Sequence, residues 1–254
     1  MSPSPSKPPR LETLFRDDRY HVVSKPPGLS TVSERWRPEL PTVMRLLWAE
    51  WKKEDPDALR PHLIHRLDKD TTGVLIFACD RDAQVALRQE FRERTVDKTY
   101  LTLVAGRPDP PEGVIEFNIG EDPSKAGKMM VCEKGKACST AYETLETFRD
   151  VTWVRCRPKT GRTHQIRVSM ESIGTPCAVD PLYRRVDALY LSQWKRNYHT
   201  GRGEEERPLI GRLTLHAETL TFTHPDKGRM TVEAPLPKDL SSTLKQLRKW
   251  GAVS

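Results

Sequence analysis

The chain has 254 residues, of which 36% are hydrophobic and 30% are charged, and its formal net charge at pH 7 is +7. This length suffices for one large domain or two small ones, and the longest apolar runs are far too short for a membrane span of about 20 residues. Residues 1–10, MSPSPSKPPR, contain no apolar stretch, which predicts a disordered tail rather than a secretory signal. The basic balance favours a polyanionic partner, because cationic side chains that bind phosphates release condensed counterions.

The cysteines are odd in number and form no CxxC pair, which argues against a disulfide framework or a cysteine zinc site. This usage is typical of a reducing compartment, so we predict a cytoplasmic protein. The five cysteines are Cys79, Cys132, Cys138, Cys156 and Cys177.

In the first third of the chain, residues 11–35 predict two short strands followed by a Pro-Pro-Gly break. Residues 41–53 have apolar side chains at helical spacing and predict a helix. The stretch GVLIFACD (73–80) is a nearly unbroken apolar run, which predicts a buried strand. A second amphipathic pattern predicts a helix over 81–94.

The rest of the chain is richer in strands. The predicted elements are strands over 96–106, 113–119 and 151–158, a hairpin around Lys134-Gly135, a helix over 162–174, two short strands over 212–225, and a closing helix over 237–250. Strands outnumber helices and short turns join most neighbours, so we predict an α+β fold around a largely antiparallel sheet. We predict one catalytic domain over 11–254, in which the charged segment 184–210 is a surface excursion.

A possible metal site has the spacing H-x-x-H-x-x-D at His62, His65 and Asp68. Imidazole and carboxylate groups are ordinary zinc ligands, and a helix would place all three on one side. However, Gly73 and the apolar strand that follows disfavour a helix here, and no fourth ligand cluster is visible. We therefore predict no metal, and a metal-dependent hydrolase is kept only as a weak alternative. The sequence also has no GxGxxG and no GxxxxGK[ST] motif, so we predict no nucleotide cofactor.

A basic segment, PKTGRTHQIRVSM (158–170), contains Lys159, Arg162, His164 and Arg167. One interpretation is a helix start with solvated charges. The other is that these side chains contact phosphates, or that one arginine turns inward to bind a carboxylate. The spacing alone does not separate these interpretations.

Several segments together resemble a known family. HRLDKDTTGVLIFA resembles the signature of RluA-type RNA pseudouridine synthases, and YHVVSKPPGLSTV resembles that family's N-terminal segment. RQEFRERTVDKTYLTLVAG and TGRTHQIRV resemble its second and third motifs, and RLTLHAETLTFTHP with APLP resembles its closing strands. The matches run in order over about residues 11–240. The resemblance implies a single catalytic domain with a mixed, mainly antiparallel, bent β-sheet flanked by helices and loops.

The resemblance also implies the chemistry. Uracil is detached from the ribose, turned and rejoined through its carbon 5, which loses no atoms or electrons and needs no cofactor. Asp68 matches the catalytic carboxylate, and Tyr100 matches the tyrosine that stacks on the target base. Arg167 matches the arginine that pairs with the aspartate, with Arg162 as the fallback, and Ile166 matches an apolar residue of the pocket.

The target uridine must leave its stack before it reacts, at a cost of a few kcal/mol. By resemblance, Arg66 fills the vacated space, and Lys159, Arg162 and His164 are candidate RNA contacts. The implied partner is rRNA or tRNA, and we predict a monomer. The alternative from another class is a non-catalytic RNA-binding or folding-assistance protein on the same scaffold.

The sequence departs from the family pattern in its long 184–210 segment and at two single positions. Ser169 follows RV where the family often has histidine, and Val179 replaces the glycine of a GD..Y element that otherwise keeps Asp180 and Tyr183. None of these changes removes a catalytic residue, so they bear on the identity of the substrate rather than on the reaction.

Overall fold

The computed structural model describes residues 11–33, 40–199 and 204–253, so the predicted tail at 1–10 lies outside the described residues. The chain divides into two compact units. The first contains the described residues up to Val96 together with Thr221–Ala234, and the second contains Asp97–Leu220 and the residues from Pro235 onward. That residues 11–254 act as one catalytic domain stays a prediction.

The described elements confirm the predicted α+β class and its mainly antiparallel strand pairing. The strands in chain order are β1 (Glu12–Arg16), β2 (Tyr20–Lys25), β3 (His62–Leu63), β4 (Thr72–Ala78), β5 (Asp97–Ala105), β6 (Glu112–Glu121), β7 (Met129–Val131), β8 (Lys136–Thr147), β9 (Val151–Pro158), β10 (Leu215–His224) and β11 (Gly228–Glu233). The helices are α1 (Val43–Glu54), α2 (Arg81–Glu93), α3 (Gln165–Ser172) and α4 (Lys238–Trp250). Of the described helices, none combines the length and apolarity that crossing a bilayer requires.

The first unit is organised around β4. This strand pairs antiparallel with β2, where Val22 lies opposite Ile76, and also with the short strand β3. Every residue of β4 is buried, as its unbroken apolar run predicted. Helix α1 buries Val43, Leu47 and Trp51, three positions on one helical face.

His21 on β2 is almost fully buried against α1. Its Nδ1 accepts a hydrogen bond from Trp51 Nε1 at 2.9 Å, and its Nε2 lies 2.8 Å from Thr13 Oγ1. Burial lowers the pKa of His21 from 6.5 to about 4, so the folded protein holds a neutral ring here.

This depressed pKa makes the stability depend on pH. Between pH 6.5 and 4 the unfolded chain protonates His21 and the folded chain does not, so protons favour unfolding and stability falls as the pH falls. We expect this group to remove roughly 3 kcal/mol of unfolding free energy between pH 7 and pH 4. Urea unfolding at pH 7, 6 and 5 should show a shallower pH dependence in His21→Asn than in the wild type. The exposed His199→Asn serves as the control and should keep the wild-type slope, whereas equal slopes in all three proteins would refute the assignment.

The second unit has the antiparallel strand order β5-β9-β8-β6-β7. The predicted hairpin around Lys134-Gly135 is wrong, because β7 and β8 do not pair with each other but flank β6 on opposite edges. Ile119 of β6 lies opposite Val131 on one side and Lys136 on the other. Gly135 lets the chain pass this close, since a Cβ there would lie 2.4 Å from the Ile119 carbonyl oxygen.

Other boundaries also differ from the predictions. Helix α3 begins at Gln165 rather than at 162, because His164 has a φ of +55° and interrupts the helix. The two short strands predicted over 212–225 are one strand, β10, and β11 was not predicted. The described part of the segment 184–210 reaches into the core of this unit rather than lying wholly on the surface. It buries Leu189, Trp194 and Ile210.

Candidate active site

Asp68 lies in a turn between β3 and β4 of the first unit. The Thr71 amide donates to the Asp68 carbonyl at 3.2 Å and closes the turn, and Asp68 itself is half-buried. Arg66 and Lys69 are exposed, while Leu67 is buried. The turn therefore places the two cations toward solvent and is anchored through Leu67.

Two buried side chains hold the backbone on either side of Asp68. Thr31 Oγ1 donates to the Leu67 carbonyl at 2.9 Å and accepts from the Leu67 amide at 3.2 Å. Lys25 Nζ donates to the Lys69 carbonyl at 2.7 Å, and also to the carbonyls of Pro26 and Leu29 at 2.9 and 2.8 Å. Lys25 and Thr31 are 1% and 2% exposed, so water cannot easily replace these bonds.

Thr31→Val should loosen this turn. The substitution keeps the shape of the side chain but leaves the amide and carbonyl of Leu67 without their partner, at a cost of about 1–3 kcal/mol. We expect faster amide hydrogen exchange at Leu67. Thr31→Ser keeps the hydroxyl and is the matched control. Unchanged exchange in Thr31→Val would show that the bond to Thr31 does not hold the turn.

The two histidines upstream have structural contacts. His65 stacks on Phe91 with the ring centroids 5.1 Å apart, and its Nε2 lies 3.4 Å from the Ile76 amide. His62 belongs to β3 and lies opposite Ala78. Within residues 11–33, 40–199 and 204–253, no three His, Cys, Asp or Glu side chains are arranged to bind a metal ion. The geometry thus gives the metal-dependent alternative no support.

In the second unit, the predicted residues Tyr100, Ile166 and Arg167 lie in one region. Tyr100 on β5 is partly buried and packs against a core cluster that contains Ile166 of α3. Arg167 is the next residue of α3 and is only 8% exposed. An aromatic ring, an apolar side chain and a buried cation therefore occur together, as the resemblance implies for a nucleotide pocket.

Arg167 forms a bidentate ion pair with a residue that had no predicted role. Its Nε lies 2.7 Å from Asp180 Oδ2 and its Nη2 lies 2.8 Å from Asp180 Oδ1. The Asp180 carboxylate thus uses two of the five N–H donors of the guanidinium. The pairing of Arg167 with Asp68 stays a prediction.

The turn before α3 is tied to the sheet by Gln165, another residue that sequence reasoning missed. Gln165 Oε1 accepts from Thr160 Oγ1 at 2.6 Å and from the Arg162 amide at 3.0 Å. Its Nε2 donates to the Ser139 carbonyl and to Thr140 Oγ1, both at 3.0 Å. All the polar atoms of this buried amide are paired, which fixes the turn that carries the basic residues.

Lys98 on β5, two residues before Tyr100, supports the same turn. Its Nζ donates to the Thr160 carbonyl at 2.9 Å, and burial lowers its pKa from 10.5 to about 8. A lysine with this pKa is only partly charged near pH 8, so its role differs from that of a solvated surface cation.

The other predicted RNA contacts occupy different environments. Lys159 is exposed on the surface, whereas Arg162 is half-buried and its Nε donates to the Ala137 carbonyl at 3.3 Å. His164 Nδ1 lies 2.9 Å from the Tyr183 hydroxyl, so this ring takes part in an internal hydrogen bond. The roles of these residues toward RNA stay predictions.

A sequence model of one family, described as RNA pseudouridylate synthase, matches residues 19–172, more than half of the chain. The chain belongs to this family. The match includes the Asp68 turn, Tyr100 and Arg167, and it confirms the RluA-type resemblance inferred from the motifs.

Individual relatives and a solved structure carry names of the same kind as the family. The chain is 37% identical over 241 residues to Ribosomal large subunit pseudouridine synthase D of Nitrosomonas europaea, covering 94% of this chain and 65% of that protein. It is 36% identical over 235 residues to Dual-specificity RNA pseudouridine synthase RluA of Escherichia coli O157:H7, covering 91% and 96%. Human RNA Pseudouridylate Synthase Domain Containing 4 has a similar structure, with a TM-score of 0.71, 26% identity and 93% coverage of each chain. By class, the protein is an isomerase of the RNA pseudouridine synthase type.

Proposed function

We propose that this protein converts specific uridines of structured rRNA or tRNA to pseudouridine, with Asp68 as the catalytic carboxylate. The observation that supports the assignment of Asp68 is that the turn matching the family signature is held on both sides by Lys25 and Thr31. A reacting group must be held close to its productive position, and buried hydrogen bonds to its neighbours provide this. Two of the relatives are named for the ribosomal large subunit and for dual specificity.

The proposed reaction conserves every atom. Asp68 either attacks C1′ of the ribose or removes a proton from the sugar, and the bond from C1′ to N1 of uracil breaks. The released uracil turns and its C5 forms a bond to C1′, which displaces the Asp68 carboxylate in the first route and is accompanied by return of the proton to the sugar in the second. The C5 proton is then lost while N1 gains one. A cation beside a carboxylate favours the ionised form that both routes require, and we assign this role to Arg167.

The remaining residues act on the flipped nucleotide. Tyr100 stacks on the target base, which is worth about 1–3 kcal/mol per base for an aromatic side chain, and Ile166 provides an apolar wall. Arg66, exposed beside Asp68, enters the space that the base leaves. Lys159, Arg162 and His164 contact the RNA backbone. We further propose that the protein works as a monomer in the cytoplasm.

The test is release of tritium from RNA labelled at carbon 5 of uridine, using rRNA and tRNA transcripts as separate substrates. Pseudouridine mapping of cellular RNA with and without the gene then identifies the modified nucleotide. RNA that binds tightly but releases no tritium in any transcript would support the alternative, a non-catalytic RNA-binding protein on this scaffold.

A further inference from the structure

Arg167 is held in place by interactions within the protein itself. Its side chain and that of Asp180 are 9% and 0% exposed, and the two groups meet through two parallel N–H···O bonds. Such fork-to-fork pairing fixes the plane of the guanidinium as well as its position.

Asp180 is itself immobilised. Its Oδ1 accepts from the backbone amides of Leu182 and Tyr183 at 2.9 and 3.1 Å. Its carbonyl oxygen accepts from the amides of Arg184 and Arg185 at 2.9 and 3.0 Å. The carboxylate therefore cannot rotate without breaking several bonds, and it sets the orientation of Arg167 rather than following it.

The ring of Tyr183 restrains the face of the guanidinium. Arg167 Cζ lies 4.8 Å from the centroid of this ring, within the range of a cation–π contact. The Tyr183 hydroxyl accepts from the Met129 amide at 2.9 Å and bonds to His164 Nδ1 at 2.9 Å. Strand β7 and the residue before α3 thus hold the ring in place from two sides.

We propose that Asp180, together with Tyr183, is a positioning residue that aims Arg167 at the reacting carboxylate. A guanidinium has two edges that can bind a carboxylate through two bonds, and Asp180 occupies the Nε/Nη2 edge. A second carboxylate can then be bound only through the end edge, which contains Nη1. This inference rests on the proposed function of Arg167 toward Asp68.

A second arginine–aspartate pair in the same unit has the same bond geometry but a more exposed aspartate, and provides a comparison. Arg212 Nε and Nη2 each lie 2.6 Å from the oxygens of Asp239, so the same atoms meet in the same fork. No role in the reaction is assigned to either residue. Comparing variants of the two pairs therefore separates the general effect of losing a bidentate ion pair from the specific effect of losing the pair that orients Arg167.

The experiment compares Asp180→Asn and Asp239→Asn in single-turnover pseudouridine formation, with RNA affinity and melting temperature measured in parallel. A misplacement of about 1 Å can cost about 10²-fold in rate, so we expect Asp180→Asn to slow the reaction about 10–100-fold with RNA affinity within about twofold. Asp239→Asn should change the rate less than about twofold. A normal rate in Asp180→Asn would overturn the proposal.

A double-mutant cycle tests whether Asp180 acts through Arg167. Adding Asp180→Asn to Arg167→Lys should slow the reaction no further, whereas independent effects would multiply and would also overturn the proposal. Should Asp180→Asn fail to fold, Tyr183→Leu decides the question, with a rate about tenfold lower expected and a rate within twofold of wild type contradicting it. A wild-type protein that forms no pseudouridine in any RNA would refute the proposed function instead.

Discussion

Asp68→Asn is expected to abolish pseudouridine formation while RNA affinity stays within about twofold of wild type. Asparagine has nearly the same shape but can neither attack C1′ nor accept a proton from the sugar, so we expect a loss of at least about 10³-fold in rate. The turn should survive, because its bonds to Thr31 and Lys25 involve the backbone of Leu67 and Lys69 and not the Asp68 side chain. Tritium release under single-turnover conditions measures the rate, and filter binding measures the affinity.

The matched control is Asp70→Asn, two residues further along the same turn. Asp70 is exposed and has no proposed part in the reaction, so its substitution should leave the rate within about twofold. Activity retained in Asp68→Asn would refute the assignment of the catalyst. A comparable loss in Asp70→Asn would attribute the effect to the charge of the turn rather than to one carboxylate.

Arg167→Met is expected to affect stability and activity together. The substitution leaves the fully buried Asp180 carboxylate without its cation, and breaking a buried ion pair on one side typically costs about 3–5 kcal/mol. It also removes the cation that we assign to the reacting carboxylate. Urea unfolding at pH 7 measures the first effect, and single-turnover pseudouridine formation measures the second.

The double variant Arg167→Met with Asp180→Asn separates the two effects. Removing both charges should recover most of the lost stability, because neither buried charge is left unpaired. Activity should not recover, since the arginine is still missing. Arg212→Met is the comparison, and because Asp239 is 39% exposed we expect it to cost only about 1 kcal/mol. Recovery of activity in the double variant would show that Arg167 has only a structural role.

The sequence predicted those features that depend on local patterns. The apolar run of β4 and the helical spacing of α1 and α2 were readable because burial follows periodicity within each element. The candidate residues Asp68, Tyr100 and Arg167 were found because each lies in a short motif. The comparisons confirm the family to which those motifs belong.

Contacts that depend on tertiary structure could not be predicted in this way. Asp180 is 13 residues from Arg167 and follows a turn, so spacing gives no indication that the two side chains meet. Asp180 and Tyr183 could be noticed only as kept positions of the GD..Y element. That pattern does not indicate which side chains they contact. The pairing of β7 with β6 depends on Gly135 passing against the Ile119 carbonyl, which no periodicity encodes.

Lys25 illustrates how the fold conceals a reactive group. Its primary amine is enclosed by the carbonyls of Pro26, Leu29 and Lys69, and the side chain is 1% exposed. An acylating reagent or an acetyltransferase needs an accessible amine, and this amine is not accessible while the turn at Asp68 is closed. Chemical modification of Lys25 would therefore occur only in molecules in which this turn has opened, which makes the lysine an internal reporter of how often the turn at Asp68 opens.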